Sequence, residues 1–385
     1  MSTQRPAGRH VHGLTRRQRV TVGVVVLLAV AVAAGLGVTA DRASAAWPPA
    51  GHSDCRSVQI FTGSVGSPYN QFANVLRERL QAGPEHFDVD VTQTAGSTAN
   101  LYDLESADPP RCSLAIAQLN TTVDAAEGVN QFDPSRDGHR VSGLRTLGPV
   151  HRDLLHVIVR DRPRRPGGRP VTRLADLCHA SIAAGEKNSG TRQITEVLLR
   201  VGLPGCQPVL EPANLDDGLR LLGAGGVDAV VWAGGPATRQ IRARISGGAR
   251  LQLLDLSDQL AGFTRDWNTF YGGRKDFFPG AVFGDGELGP ADYPGIRPIH
   301  TITIPNGLIA RDDTDPVLVR RATAVLFQHP EDFATALWQT NPAHHTIPDA
   351  LSVYEGPLFC SIPLHPAAAE YYLQQFRRVP ACGGR

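Results

Sequence analysis

Residues 181–201 read SIAAGEKNSGTRQITEVLLRV and contain the pattern that decides the fold. A short β-prone run at 181–184 is followed by a polar turn at 185–191. Apolar residues then recur with the spacing of one helical face, at Ile194, Val197, Leu198 and Val201. The segment therefore predicts a strand, a turn and an amphipathic helix, in that order.

The same order recurs along most of the chain. Strands are predicted at 58–61, 87–91, 114–117, 154–159, 181–184, 227–232 and 299–304. Helices are predicted to begin at Pro68 and Pro316, behind the capping residues Ser67 and Asp315. Strands that alternate with helices predict a parallel α/β sheet, and two such sets that meet near residues 150–160 predict two α/β lobes. Residues 262–298, rich in Gly, Pro and aromatic residues, predict a long ordered excursion.

About 45 residues at the N-terminus are predicted to form a targeting segment rather than part of the folded body. Arg16, Arg17 and Arg19 precede the uncharged stretch 20–40, which at about 1.5 Å per residue can span ~30 Å of hydrocarbon. Residues 43–45 (ASA) have the form of a signal peptidase site, so a cleaved signal and a retained helix both remain open. We expect residues 1–19 to be a basic cytoplasmic region, 20–40 a signal or transmembrane helix, and 41–54 a linker. The body is then extracytoplasmic, either membrane-anchored or secreted.

Charge and cysteine content narrow the class of protein. The formal net charge of +1 indicates no nucleic-acid partner. Six cysteines all follow the apolar stretch and none lies in a CxxC pair, which favours disulfides over a zinc or redox motif. Since two cysteines precede strands in each predicted lobe, we expect three bridges between sequence neighbours, with buried free thiols as the alternative. The expected pairs are Cys55–Cys112, Cys178–Cys206 and Cys360–Cys382.

Catalytic motifs are not found in the sequence. The turn 185–190 has the spacing of a phosphate-binding loop, but Thr191 stands where that loop requires Lys. The sequence has no GxSxG or HExxH pattern. The paired carboxylates at 216–217 and 312–313 lie at helix starts or in loops, where capping and solvation explain them. We therefore expect a non-enzymatic protein without a metal or cofactor.

Four turns rich in Gly, Ser and Thr predict a ligand site. They follow predicted strands at 62–68, 95–98, 185–191 and 233–236, two from each lobe. Ligands of open α/β sheets bind at the carboxyl ends of strands, where helix N-termini favour anions. The candidate residues are Ser64, Ser67, Tyr69, Ser97, Thr98, Gln118, Asn120, Ser189, Gly190, Thr191, Arg192, Gly234 and Gly235.

Several candidates have a plain alternative. Tyr69 is expected to wall the cleft, but a tyrosine at the edge of the core explains it as well. Arg192 is expected to pair with an acidic ligand, although a solvated arginine fits the same position. His151 is a further candidate that a surface histidine explains equally.

Seven segments within residues 58–376 have sequences that are similar to those of one known protein family. They are Thr62-Gly63-Ser64 with Tyr69, 95–101, 114–118, 155–160, 189–192, 227–236, and 362–367 with Tyr371-Tyr372. On these segments the chain resembles the TAXI-type solute receptors of tripartite ATP-independent periplasmic (TRAP) transporters. The segment 95–101 is similar to the family's Gly-Ser-x-x-Asn motif and adds Asn100 to the expected ligand site.

The resemblance implies a fold and a function. The fold is type II periplasmic-binding-protein-like, with hinge strands near 154–160 and 299–306. Lobe 1 is expected at 55–155 and 305–385, and lobe 2 at 156–304. The protein would capture a small anionic solute, an amino acid or carboxylate, by hinge closure and pass it to a membrane permease. Departures from the family, such as the basic loop 160–170, leave a membrane-anchored sensor with a signalling partner as the alternative.

Overall fold

A computed structural model describes residues 52–162, 170–271, 282–337, 362–377 and 379. The strands are β1 Ser57–Phe61, β2 Asp88–Thr92, β3 Ser113–Gln118, β4 Leu144–Arg160, β5 Ser181–Ala183, β6 Val209–Glu211, β7 Ala229–Gly234, β8 Leu251–Leu253, β9 Gly284–Leu288 and β10 Ile299–Arg311. The α-helices are α1 Pro68–Gln81, α2 Ser97–Ser106, α3 Leu119–Glu127, α4 Gly190–Gly202, α5 Leu215–Ala224, α6 Arg239–Ser246, α7 Leu260–Tyr271, α8 Pro316–Gln328, α9 Pro330–Leu337 and α10 Pro366–Phe376.

The strands of the described residues form one sheet with the main order β2-β1-β3-β10-β4-β7-β5-β6, to which β8 and β9 are added beside β4 and β10. β1 runs parallel to β2 and β3, and β5 runs parallel to β6 and β7. Between these two parallel groups lie β4 and β10, which are antiparallel to each other. The predicted α/β class is confirmed, with the two strand–helix sets on either side of this antiparallel pair.

The two central strands are longer than the sequence predicted. The expected strands 154–159 and 299–304 are parts of β4, with 17 residues, and β10, with 13 residues. β4 pairs with β10 over most of its length and then with β7 from Leu154 to Val159. The expected lobe boundaries at 155/156 and 304/305 therefore fall inside these strands, and the division into two lobes stays a prediction.

Apolar side chains cover both faces of the sheet. In β4, Leu155, Val157 and Val159 belong to one buried cluster, whereas Leu154 and Ile158 belong to another. Successive residues of a strand point to opposite faces, so this alternation places one core on each side. A sheet buried on both faces is typical of strands joined by helical crossovers.

Two of the three expected disulfides are confirmed. Cys55 bonds to Cys112 with their Cα atoms 5.4 Å apart, and Cys178 bonds to Cys206 with a Cα separation of 4.9 Å. The first pair precedes β1 and β3 and the second precedes β5 and β6, and each of these strand pairs is parallel and adjacent. Adjacent parallel strands bring their starts to one edge, which is why this pairing fits. Cys360 and Cys382 lie outside the described residues.

The predicted helix caps are also confirmed. Ser67 Oγ accepts a hydrogen bond from the Asn70 N–H at 3.3 Å, ahead of Pro68 in the first turn of α1. Asp315 Oδ1 accepts hydrogen bonds from the N–H groups of Val317 and Leu318, both at 2.9 Å. A proline at the first helical position loses nothing, because its missing N–H would have no partner within the helix.

The predicted excursion at 262–298 contains regular elements that the sequence reading missed. α7 buries Phe263, Trp267 and Tyr271 at a spacing of four residues, a helical face that the surrounding Gly and Pro residues obscured. The sequence of β9, GDGEL, does not predict a strand. The strand forms because it pairs with the start of β10. The expected apolar helix at 20–40 lies outside the described residues. Within the described ranges, no helix combines the length and apolar character needed to cross a membrane.

Candidate functional site

A pocket lies at the carboxyl ends of the parallel strands, and we call it the cleft pocket. It encloses about 580 Å³ that no atom fills, part of which is open to solvent. Of the predicted ligand residues, those that line the cleft pocket are Ser64, Ser67, Tyr69, Ser97, Gln118, Ser189, Gly190 and Thr191.

Four helices begin at the cleft pocket. α1 and α2 begin at Pro68 and Ser97 on one side, and α4 and α5 begin at Gly190 and Leu215 on the other. The first N–H groups of a helix have no acceptor within the helix, and the helix dipole adds partial positive charge at that end. The pocket is therefore bordered by backbone donors on both sides of the central strands.

Tyr69 is held rigidly in the pocket wall. Its hydroxyl lies 3.0 Å from Ser97 Oγ and donates to Asn306 Oδ1 at 2.6 Å. Ser97 Oγ also accepts from the Gln118 N–H at 3.1 Å, which ties the starts of α1 and α2 to the end of β3. Burial, followed by the nearby charge of Asp153, raises the pKa of Tyr69 well above its ordinary value. The phenol thus stays protonated and keeps its role as a donor.

The two sides of the pocket touch each other. The Ala99 N–H in α2 donates to the Asn188 carbonyl oxygen at 2.9 Å, across the gap. A Cβ atom added at Gly190 would lie 2.7 Å from Gln118 Cδ and 2.7 Å from Ser97 Oγ. Such separations are shorter than real Cβ contacts, so glycine is required for this close approach.

Two carboxylates also line the pocket, and the sequence reading missed both. Asp153, in β4, is 2% exposed, and its Oδ1 lies 3.0 Å from His151 Nε2. Glu186, in the turn after β5, is partly buried. A charged residue inside an otherwise buried strand was the available signal for Asp153. His151 is 2% exposed, so the surface interpretation of this residue is wrong.

Asn214 and Trp232 are further lining residues that were not predicted. Asn214 caps α5, because its Oδ1 accepts from the Asp217 N–H at 2.9 Å. Among the described residues, no group of three or more His, Cys, Asp or Glu side chains is arranged to hold a metal ion.

Several predicted ligand residues lie away from the cleft pocket. Thr98 Oγ1 donates to Gln131 at 2.9 Å, and the Asn100 side chain donates to the Ile116 carbonyl at 2.6 Å. Arg192 does not face the pocket, because its guanidinium donates to Glu196, one turn along α4, at 2.8 Å. The structure therefore gives these three residues partners within the protein.

The turn after β7 also differs from the expectation. Gly234 does not line the cleft pocket, and Gly235 borders a separate groove beside α6. The preceding strand residues Val231, Trp232 and Ala233 line the pocket instead.

Apart from the cleft pocket, a group of buried polar side chains connects α3 with α4 and α7, and we call it the Asp124 cluster. It consists of Asn120, Thr121, Asp124, Gln193 and Tyr271. Gln193 accepts from Asn120 Nδ2 at 2.9 Å and donates to Asp124, which also accepts from the Tyr271 hydroxyl. Asn120, predicted as a ligand residue, is thus occupied by a neighbouring helix.

Burial raises the pKa of Asp124 to about 8. A hydrogen bond from Asn130 and the charge of Arg200 act in the opposite direction, and the charge of Asp266 adds to the rise. Arg200 is itself paired with Asp266 at 2.7 Å. Asp124 is therefore largely protonated at neutral pH and contributes a neutral polar contact.

Comparison of the sequence with curated proteins gives no match. Solved structures are similar at low identity. The periplasmic aliphatic sulphonate binding protein SsuA from Escherichia coli is 14% identical, with a TM-score of 0.42 over 82% of each chain. The periplasmic binding protein BugD is 15% identical, with a TM-score of 0.47 over 83% of this chain and 97% of that one. MatC from Rhodopseudomonas palustris with bound malate is 16% identical, with a TM-score of 0.46 over 75% and 94%.

A family model described as the NMT1-like family matches residues 60–375. This match takes in both parallel strand groups, the two central strands and every residue named in the cleft pocket. The chain therefore belongs to the NMT1-like family.

Proposed function

We propose that this protein is an extracytoplasmic solute-binding protein that captures a small organic solute without a covalent step. One observation carries the proposal: four helix N-termini and eight predicted ligand residues border one pocket between two parallel strand groups. Backbone donors that converge on one pocket suit a carboxylate or another small anionic group.

Closure would take place about the two central strands. β4 and β10 run through both parts of the sheet, so bending them near 154–160 and 299–306 would move residues 156–304 relative to 55–155 and 305–385. The contact between Ala99 and Asn188 belongs to the closed state. A ligand that binds the closed state more tightly shifts the population towards it.

The captured solute would be handed to a membrane permease, as the resemblance to TAXI-type receptors of TRAP transporters implies. A membrane-anchored sensor that reports closure to a signalling partner would use the same pocket. The small solute and the membrane partner are thus the two classes of partner that we propose.

Titration calorimetry of the full chain tests the proposal. The panel contains amino acids, monocarboxylates and dicarboxylates, and small-angle scattering follows closure. We expect at least one compound to bind at micromolar concentration and to reduce the radius of gyration. A sample with native circular dichroism that binds none of these compounds would contradict the proposal.

A further inference from the structure

The charge of the cleft pocket contradicts a purely anionic ligand. Asp153 and Glu186 both line it, and none of its described lining residues is Lys, Arg or His. A simple dicarboxylate would place negative charge against these two acidic groups, and like charges in a partly buried site repel strongly. His151, behind Asp153, contacts one oxygen of this residue, but no lining side chain brings a positive group into the pocket itself.

Asp153 is the more constrained of the two acidic residues. It is 2% exposed, and its Oδ1 is occupied by His151 Nε2 at 3.0 Å. Among the described residues, no hydrogen bond reaches its Oδ2. A buried carboxylate is stable only when it is paired and hydrogen-bonded. The Oδ2 atom of Asp153 is therefore the oxygen that can bind a partner in the pocket.

The arginines nearest in sequence to the lining residues are committed elsewhere. Successive side chains of a strand point to opposite faces, so Arg152 points away from the face of β4 that carries Asp153. Its guanidinium donates to Thr303 at 3.1 Å. Arg192 is paired with Glu196 in α4. The aromatic residues Tyr69 and Trp232 also line the pocket, and aromatic rings attract cations.

The helix N-termini at the same pocket define a second requirement. The partial positive charge of their dipoles favours a negative group and disfavours a ligand that carries positive charge alone. The pocket thus combines a site for an anion with acidic side chains for a cation.

On the basis of the proposed function, we infer that the ligand is zwitterionic: its carboxylate binds at the helix N-termini and its ammonium group pairs with Asp153 and Glu186. Amino acids and their derivatives with a free amine are the class that fits. Dicarboxylates, deaminated acids and diamines do not.

The test uses calorimetry of the full chain with matched pairs of compounds. Each of the twenty common amino acids is compared with its deaminated acid, such as L-glutamate with glutarate and L-alanine with propionate, and putrescine represents a pure cation. We expect an amino acid to bind about 10- to 100-fold more tightly than its deaminated partner, as charge-assisted hydrogen bonds allow. Putrescine should not bind.

Two variants locate the ammonium site. Asp153→Asn should remove most of the preference for the amine, and it should raise the affinity for the deaminated acid because a repelling negative charge is lost. Glu186→Gln, at a partly exposed position, should reduce the preference about 3- to 10-fold. It keeps the test valid if the buried Asp153 variant does not fold. Asp216→Asn is the control, because Asp216 is exposed at the start of α5 outside the lining set.

The outcomes separate the two claims. Equal or tighter binding of a deaminated acid overturns the zwitterion inference and leaves the receptor function intact. An amine preference that survives in both the Asp153 and Glu186 variants also overturns it. A folded protein that binds no member of either set contradicts the inference and the proposed function together.

Discussion

The cleft pocket and the Asp124 cluster both join α4 to helices that follow the first group of strands, but they differ in what fills them. In the Asp124 cluster, Gln193 bonds to side chains of α3, and only a small cavity borders these groups. In the cleft pocket, hydroxyls, helix N-termini and Asp153 border open volume. Buried polar groups are costly without partners, so the proposed ligand belongs in the cleft pocket, where the polar groups border the larger volume.

The largest effect on affinity is expected from Gly190→Ala, a substitution in the wall of the cleft pocket. The added Cβ would overlap Gln118 and Ser97 from the other wall, so the pocket could not close fully. We expect ligand affinity to fall about 100-fold, because overpacking a tight contact costs ~1–3 kcal/mol. Calorimetry measures the affinity, and denaturant unfolding should show little loss of stability.

Gly223→Ala is the matched control for this variant. A Cβ at Gly223, inside α5, meets nothing within 4 Å. Alanine in a helix interior should raise stability by up to about 1 kcal/mol and leave binding unchanged. Normal affinity in Gly190→Ala would show that the ligand binds elsewhere.

Gln193→Ala disrupts the Asp124 cluster, the other region of the comparison. It removes the partner of Asn120 and one partner of Asp124, at a cost of about 2 kcal/mol. Because the cluster would stabilise the proposed closed state without contacting the ligand, the affinity should fall about 10-fold for every ligand, with no change in ligand preference. Arg192→Ala, which removes only a pair with Glu196 on the same helix, should change affinity less than twofold. A change of preference in Gln193→Ala would contradict the distinction between the two regions.

The Asp124 cluster also predicts a pH dependence. The unfolded chain releases the Asp124 proton near the ordinary pKa of 3.8, but the folded chain holds it until about pH 8. The free energy of unfolding should therefore decline as pH rises through this window and level off above it. Arg200, Asp266 and Tyr271 surround the group, and Arg200 is paired with Asp266.

Denaturant unfolding between pH 5 and 9 measures this effect. Asp124→Asn carries no titrating proton, so its stability should lose less between pH 5 and 8, by about 4 kcal/mol relative to the native chain. Identical pH profiles for the two proteins would rule out Asp124 as the titrating group.

The smallest effect is expected from Tyr69→Phe in the pocket wall. It removes the hydroxyl that joins Ser97 to Asn306 and keeps the ring in place. A single neutral hydrogen bond contributes about 0.5–1.5 kcal/mol, so we expect affinity to fall about fivefold with the charge preference intact. Calorimetry with an amino acid and its deaminated partner checks both statements. Loss of the amine preference in this variant would assign the cation to Tyr69 rather than to Asp153.

Much of the cleft pocket could be predicted because its residues follow strands directly. Turns rich in Gly and Ser, with a capping residue ahead of a helix, indicated Ser67, Ser97, Ser189 and Gly190. Thr98, Asn100 and Arg192 were predicted from the same segments, but in the structure their side chains bond to other protein groups. Sequence proximity to a site does not state the direction of a side chain.

The sequence alone determined the features that depend on near neighbours in the chain: the strand–turn–helix order, the caps at Ser67 and Asp315, and cysteines that precede adjacent parallel strands. Only the tertiary structure decided that Asp153 enters the pocket and that Gln193 meets Asp124. These contacts join residues far apart in sequence, and they depend on a sheet order in which β10 lies between β3 and β4. Local periodicity reports which face of an element is buried, but not which distant element covers it.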